Sequence, residues 1–159
     1  KETNATVRSV QAEIENNPGN VPLVSCSGTN NGIMGFINPS GINKCTIIQN
    51  KLTVAVSGSA GATFYQGDTT VINNGVLILA GKSFSSKEVY LFLCTIVGEA
   101  CQKFNYGMKA SQDRVSTLNI ELPINSQGQP DYAFMEQYIR ERESQIIAGL
   151  QAVLNQMQK

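Results

Sequence analysis

The sequence predicts an α+β domain: a sheet-rich body followed by a long C-terminal helix that pairs as a coiled coil. Two observations carry that expectation. From Val21 to Ala80, short β-branched runs alternate with Gly, Asn, Ser and Pro clusters, the texture of strands and turns. From Pro130 onward no further proline occurs and apolar residues recur at heptad spacing. A length of 159 residues suits one folding unit with a genuine core. The division expected is a body over 1–129 and a helix over 130–159.

The elements follow in order. "NATVRSVQAEIENNPG" places Val7, Val10 and Ile14 on one helical face, although Val10, Ala12 and Ile14 also alternate; a short helix ended by Pro18-Gly19 is expected. Strands are expected in "VPLVSC", "IMGFI", "CTIIQ", "LTVAV", "ATFYQ" and "VLILA". Ser85 with Glu88 three residues on makes a capping box, and "VYLFLCTIVGEACQKF" is too long and too continuously apolar for a strand, so a buried helix is expected over about 86–103. A loop containing "NYGMKASQDR" follows. "TLNIEL" then alternates Leu118, Ile120 and Leu122 as a last strand halted by Pro123, and "NSQGQPD" turns the chain. In the final helix Ile139, Ile146, Leu150, Val153 and Met157 stand seven, four, three and four residues apart, with Glu143 interrupting the seam. About 28 helical residues extend ~42 Å, more than a body of this size needs to cover itself. A helix that leaves the body to pair is therefore expected over one packed along its own domain.

Composition narrows the chemistry. With 42% hydrophobic and 15% charged residues the chain is that of a globular protein, and no apolar run approaches the ~20 residues of a membrane helix. It opens on Lys1 without a signal-peptide pattern. There is no histidine, which removes Ser-His and Cys-His dyads and imidazole metal ligands. Cys26, Cys45, Cys94 and Cys101 contain no Cys-x-x-Cys pair, so neither a metal site nor a cofactor is expected, and they read as buried free thiols of a cytoplasmic protein. Net charge is zero, yet seven basic residues face four acidic ones between Asn16 and Ile120. A mildly basic body with acidic flanks suits a polyanion on one face, and equally a solvated surface.

Three motifs fail on inspection. Gly81-Lys82-Ser83 ends like a phosphate-binding loop, but the glycine required five positions earlier is Val76 and the strand lies inside the loop. "INPSG" lacks the second proline and the aromatic of an amino-methyltransferase loop, and no strand, Gly-rich turn and helix for a methyl donor precedes it. No carboxylate stands two residues before a lysine beside another acid, as metal-dependent nucleases require.

What remains is an amide-rich, small-residue group: "SGTNNG", "SGSAG", "FYQGD", "INNG" and "KFNYGMKAS". Asn and Gln amides match the major-groove edge of adenine, Lys and Arg match guanine, and small residues let a backbone approach phosphates. The same stretches also suit plain hairpin turns.

In order and spacing, "VPLVSCSGTNNGIMGFI", "NKLTVAVSGSAGATFYQ", "YLFLCTIV", "QKFNYGMKASQDRVSTLNIELP" and "GQPDYAFMEQYI" resemble the target recognition domain of DNA specificity subunits of bacterial restriction-modification systems of type I and type I-like architecture. The resemblance covers roughly residues 20 to 142. It implies a non-catalytic domain that reads one half of a bipartite double-stranded DNA site. It also implies a spacer helix that docks methyltransferase subunits, with or without an endonuclease subunit, and catalysis in those partners. It directs DNA contacts to the loops holding Asn30, Asn31, Ser57, Ser59, Tyr65, Gln66, Tyr106, Lys109, Ser111 and Arg114, with Lys51 and Lys82 on phosphates. A full subunit has two recognition domains and two helices, whereas this chain has one of each. It is a half-subunit, a truncated product or an excised domain, and a homodimer through the last helix would restore the two-fold arrangement. The alternative from another class is an assembly or adaptor protein with a β-rich binding body and an oligomerising helix.

Overall fold

In the computed structural model of the chain, residues 7–42, 45–105 and 107–158 are described. The architecture is α+β, as expected, and the described residues form seven strands in two sheets. Helix α1 (Val7–Asn16) closes where the Asn17 N–H bonds the Glu13 carbonyl at 3.0 Å and Pro18 begins β1 (Pro18–Val24). The first sheet runs β2 (Ile33–Ile37), β1, β6 (Thr70–Ile72), β3 (Thr46–Ile48). β1 pairs antiparallel with β2 and parallel with β6, where Leu23 faces Val71. Val10 of α1 is buried with Leu23, Ile37 and Val71. Gly35 makes room for α1, since a side chain there would meet Ile14 Cδ1 at 2.6 Å.

The second sheet, β5 (Thr63–Gln66), β4 (Lys51–Ala55), β7 (Val76–Leu79), is antiparallel throughout. β4 is central and buried on both faces, which its continuous apolar character requires. Leu52 joins Val89, Tyr90 and Leu93 of α2 (Lys87–Cys101) in one core cluster, and Val54 joins Val97 and Cys101 in another. α2 lies between this sheet and α4 (Tyr132–Met157), so it is apolar on more than one face. Phe92, on the α4 side, meets Phe134 and Tyr138 edge-on at 6.5 and 5.6 Å.

Four expectations are corrected. Ser86, not Ser85, caps α2, its hydroxyl accepting from the Val89 N–H at 3.3 Å, while Glu88 turns outward to Arg140. "TLNIEL" forms no strand: Leu118 and Leu122 are half-buried against the core clusters, and Asn119 to Glu121 lie beside Thr95, Ile96 and Glu99 of α2. The loop before it holds a short helix, α3 (Gln112–Ser116). All four cysteines are free thiols, but only Cys101 is buried; Cys26, Cys45 and Cys94 are half-buried.

α4 starts at Asp131, whose carboxylate accepts from the Phe134 N–H at 3.0 Å. Met135, 0% exposed, seats it in the core, and ion pairs Glu88–Arg140 (3.3 Å) and Lys87–Glu143 (2.8 Å) follow. Beyond Glu143 every described residue of the helix is exposed. Of the expected seam, Ile139 is half-buried against the body, while Ile146, Leu150, Val153 and Met157 stand in solvent.

Candidate functional site

Where β4 ends, the chain turns through Ser57, Gly58, Ser59, Ala60 and Gly61, closed by Gly61 N–H to Ala55 O at 2.8 Å and Ala62 N–H to Ser59 O at 3.0 Å. Gly58 (φ +63°) and Gly61 (φ +89°) are left-handed, and side chains there would strike the carbonyls of Cys26 and Cys101. The small residues are therefore demanded first by close packing of the turn on its neighbours. Ser59 N–H donates to Cys26 O at 3.3 Å, and the Cys26 thiol donates to Gly75 O at 2.8 Å. Asn73 Nδ2 donates to Ser25 Oγ at 3.3 Å, and Ala110 N–H to Val56 O at 3.2 Å. Four loops, within 25–32, 57–61, 73–75 and 107–111, thus meet at one end of β4. A cleft of about 360 Å³ opens between Ser25, Cys26, Ser27, Ser57, Asn73 and Asn74.

The basic groups of this end come from the loop around α3. Arg114 Nη1 donates to Lys109 O at 2.9 Å, and the Ser111 N–H reaches the same carbonyl at 2.9 Å. Lys109 and Arg114 are exposed, and neither has an ion-pair partner among the described residues. Ser111 precedes α3 without a side-chain capping bond. Tyr106 lies outside the described residues.

From the corner, the loop 25–32 runs along β5. Gly28 sits against Ser59, where a side chain would meet Ser59 Oγ at 2.8 Å, and Gly32 sits against Phe64. Asn30, Asn31 and Gly32 are successive left-handed residues, at φ 51°, 55° and 75°. Asn is the side-chain-bearing residue that accepts this conformation most readily. Asn31 Nδ2 donates to Tyr65 O at 3.2 Å and to Gln66 Oε1 at 3.1 Å, while Gln66 Nε2 donates to Asn31 O at 3.0 Å and Thr53 Oγ1 at 3.1 Å. Gln66, expected among the exposed contact residues, is 2% exposed and its amide is occupied inside the domain. It anchors the loop to the sheet.

Tyr65 points the other way, toward α2. Its hydroxyl donates to Asn50 Oδ1 at 2.7 Å, its ring stacks on Tyr90 at 6.0 Å, and burial raises its pKa above the ordinary value. Lys51 Nζ lies 3.5 Å from the Tyr90 hydroxyl, which also accepts the Gly81 N–H at 3.0 Å. Lys51 thus lies at Tyr90 at the start of β4, the end opposite Ser57 and Ser59, and the exposed Lys82 follows Gly81 at the same end. The expected cations and serines form two groups at opposite ends of β4, and the six steps from Lys51 to Ser57 span up to ~20 Å of extended chain.

Ser25 and Thr53 join this framework without having been singled out in the sequence, and Cys26 and Asn73, noted only as a thiol and within "INNG", join it through distant partners. Their partners are 13 to 49 residues distant in the chain, beyond any local pattern. Among the described residues no cluster of acidic or thiol side chains assembles a metal site, and no helix is long and apolar enough to cross a membrane.

Residues 4–153 match the family described as the type I restriction modification DNA specificity domain. The chain is also 32% identical over 145 residues to a protein of Heyndrickxia coagulans described as a type II restriction enzyme specificity subunit, S.BcgI. That alignment covers 91% of this chain and 41% of the relative, so the chain spans less than half of the relative's length.

Proposed function

This chain belongs to the type I restriction modification DNA specificity domain family, and we propose that it reads one half of a bipartite duplex site with the loops gathered around β4. The observation that carries this reading is that the loop of Lys109 and Arg114, both exposed and without an ion-pair partner among the described residues, is joined beside the Ser57–Ser59 corner by the Ala110 N–H bond to Val56 O at 3.2 Å. Small residues admit a phosphate to the backbone, and the cations neutralise it. Ser111 adds a hydroxyl at the same end. Lys51 and Lys82 stand at the opposite end, up to ~20 Å away along the strand, far enough to meet a second phosphate of the duplex. Separate phosphates of the duplex would meet the two cationic groups, leaving the loop of Asn30 and Asn31, held along β5 near the Lys51 end, to face base edges.

The chain itself performs no catalysis in this proposal. A partner methyltransferase subunit modifies adenine, with or without an endonuclease subunit, in the cytoplasm, and the specificity domain sets where. α4 carries the assembly: its first half is anchored on α2, and its second half offers the exposed seam of Ile146, Leu150, Val153 and Met157 to a second copy. Two copies would restore the two halves of a bipartite site.

The test is duplex binding by the complex with its methyltransferase subunit as salt is raised. Lys109→Ala and Arg114→Ala should each weaken binding across sequences and lower the log–log salt slope by about one. Unaltered slopes in both folded variants would overturn the assignment of this end of β4 to phosphate.

A further inference from the structure

Resting on the DNA-reading proposal above, we infer that Asn31 is an acceptor-only base reader: it selects adenine or cytosine on the contacted strand through the exocyclic amine and rejects guanine and thymine. The inference follows from a count of hydrogens. A side-chain amide has two N–H donors and one carbonyl acceptor. Both hydrogens of Asn31 Nδ2 are taken, one by the backbone carbonyl of Tyr65 at 3.2 Å and one by Gln66 Oε1 at 3.1 Å.

The orientation of each amide is fixed by its backbone partner. Tyr65 O can only accept, so the Asn31 atom facing it is the nitrogen. Asn31 O can only accept, so the Gln66 atom facing it is Nε2, which leaves Gln66 Oε1 to receive the second Asn31 hydrogen. Gln66 is locked in turn by Thr53, whose hydroxyl donates to Phe64 O at 3.2 Å and accepts from Gln66 Nε2 at 3.1 Å. The strut is buried at Thr53 and Gln66 and ends at an exposed Asn31, whose Oδ1 has no partner among the described residues.

An asparagine free in solution pairs with adenine through both its donor and its acceptor. Asn31 cannot do so without breaking the strut. Its remaining Oδ1 matches the N6 amine of adenine or the N4 amine of cytosine in the major groove, and meets only acceptors on the O6 and N7 edge of guanine or at O4 of thymine. Holding the loop rigid removes the ordering cost of the contact and keeps the selection strict. Gln66 and Thr53 are positioning residues for that choice.

The experiment selects duplexes from a randomised pool with the chain and its methyltransferase subunit, for the native protein, Asn31→Ala and Gln66→Leu. One position of the native site should hold adenine or cytosine. Asn31→Ala should lose that restriction there and nowhere else, and Gln66→Leu, which frees an Asn31 hydrogen, should admit guanine or thymine at the same position. Because Gln66→Leu removes a buried strut and can unfold the domain, a second measurement uses the native protein. Replacing the selected base by its amine-free analogue, purine for adenine or 2-pyrimidinone for cytosine, should weaken the native complex about five- to tenfold and the Asn31→Ala complex not at all. A selected site whose every position survives Asn31→Ala, or equal weakening by the analogue in both proteins, overturns this inference alone. A pool from which nothing is selected overturns the DNA-reading proposal and this inference with it.

Discussion

The carbonyl oxygen of Cys26 lies 2.7 Å from the place a side chain on Gly58 would occupy, and Ser59 donates its N–H to the same oxygen at 3.3 Å. The turn after β4 is thus pressed onto the loop 25–32 by backbone contact, in a conformation that costs an L-residue about 1–2 kcal/mol before any clash is counted. Gly58→Ala should destabilise the domain by at least that amount in chemical denaturation. Gly149 is the contrast: it sits inside α4, and a methyl group added there would meet nothing within 4 Å. Gly149→Ala should therefore strengthen the helix by about 0.5–1 kcal/mol, seen as a later loss of helical ellipticity on heating. A Gly58→Ala protein as stable as the native one would mean the corner is looser than its hydrogen bonds indicate.

Periodicity made most of the fold legible, and its misses are instructive. β6 went unseen because Thr70, Val71 and Ile72 form a short run inside the turn-rich stretch between Gly67 and Gly75, and yet they sit between β1 and β3. The alternation of Leu118, Ile120 and Leu122 was real, but a helix flank satisfied it instead of a sheet edge. In "FYQ", adjacent residues of a strand point to opposite faces. The sequence could not say that Tyr65 would turn to α2 and Gln66 to the loop, because that depends on the register of β5 on β4, where Tyr65 faces Leu52 and Gln66 faces Lys51. The cationic loop was legible from composition; its junction with the corner, through Ala110 and Val56, was not.

Met135 is the single fully buried residue of α4 among the described residues, and it seats the helix among Leu52, Val89, Tyr90 and Leu93. Met135→Ala should cost about 2–5 kcal/mol, the range for truncating a buried methionine. The ion pairs beside it are exposed and contribute far less. Denaturant midpoints of Met135→Ala and Arg140→Ala should therefore separate widely, and equal midpoints would relocate the anchor to the salt bridges.

Acid should loosen the same junction. The Glu88 carboxyl is held below its ordinary value of 4.5, first by a hydrogen bond to its own backbone N–H at the start of α2 and then by the Arg140 guanidinium. A carboxylate whose folded pKa lies below its unfolded one stabilises the fold above the unfolded value, and loses that contribution as pH falls through the folded one. Stability measured from pH 7 downward should fall below about pH 4.5, and Glu88→Gln should flatten that part of the profile. A profile identical in both proteins would remove Glu88 from the docking of α4.

Past Glu143 the helix continues for residues 144–157, ~21 Å of α-helix in which every residue is exposed among the described residues. Ile146, Leu150, Val153 and Met157 are 62%, 59%, 54% and 79% exposed along one stripe, and Ile147 and Leu154, also exposed, widen it. An apolar stripe of this length left in water is unfavourable, and each such side chain fully buried in a two-stranded coil contributes about 1.5–3 kcal/mol. The stripe also continues the line of Met135 and Ile139, so a partner helix laid on it would stay in register with the docked half. The native chain should therefore sediment as a dimer at micromolar concentration. Replacing Leu150 and Val153 by Asp places two charges in the seam and should return it to a monomer, with the thermal transition of the sheets unchanged because both residues are exposed among the described residues. A native monomer, or a dimer indifferent to the two aspartates, would overturn self-pairing through α4.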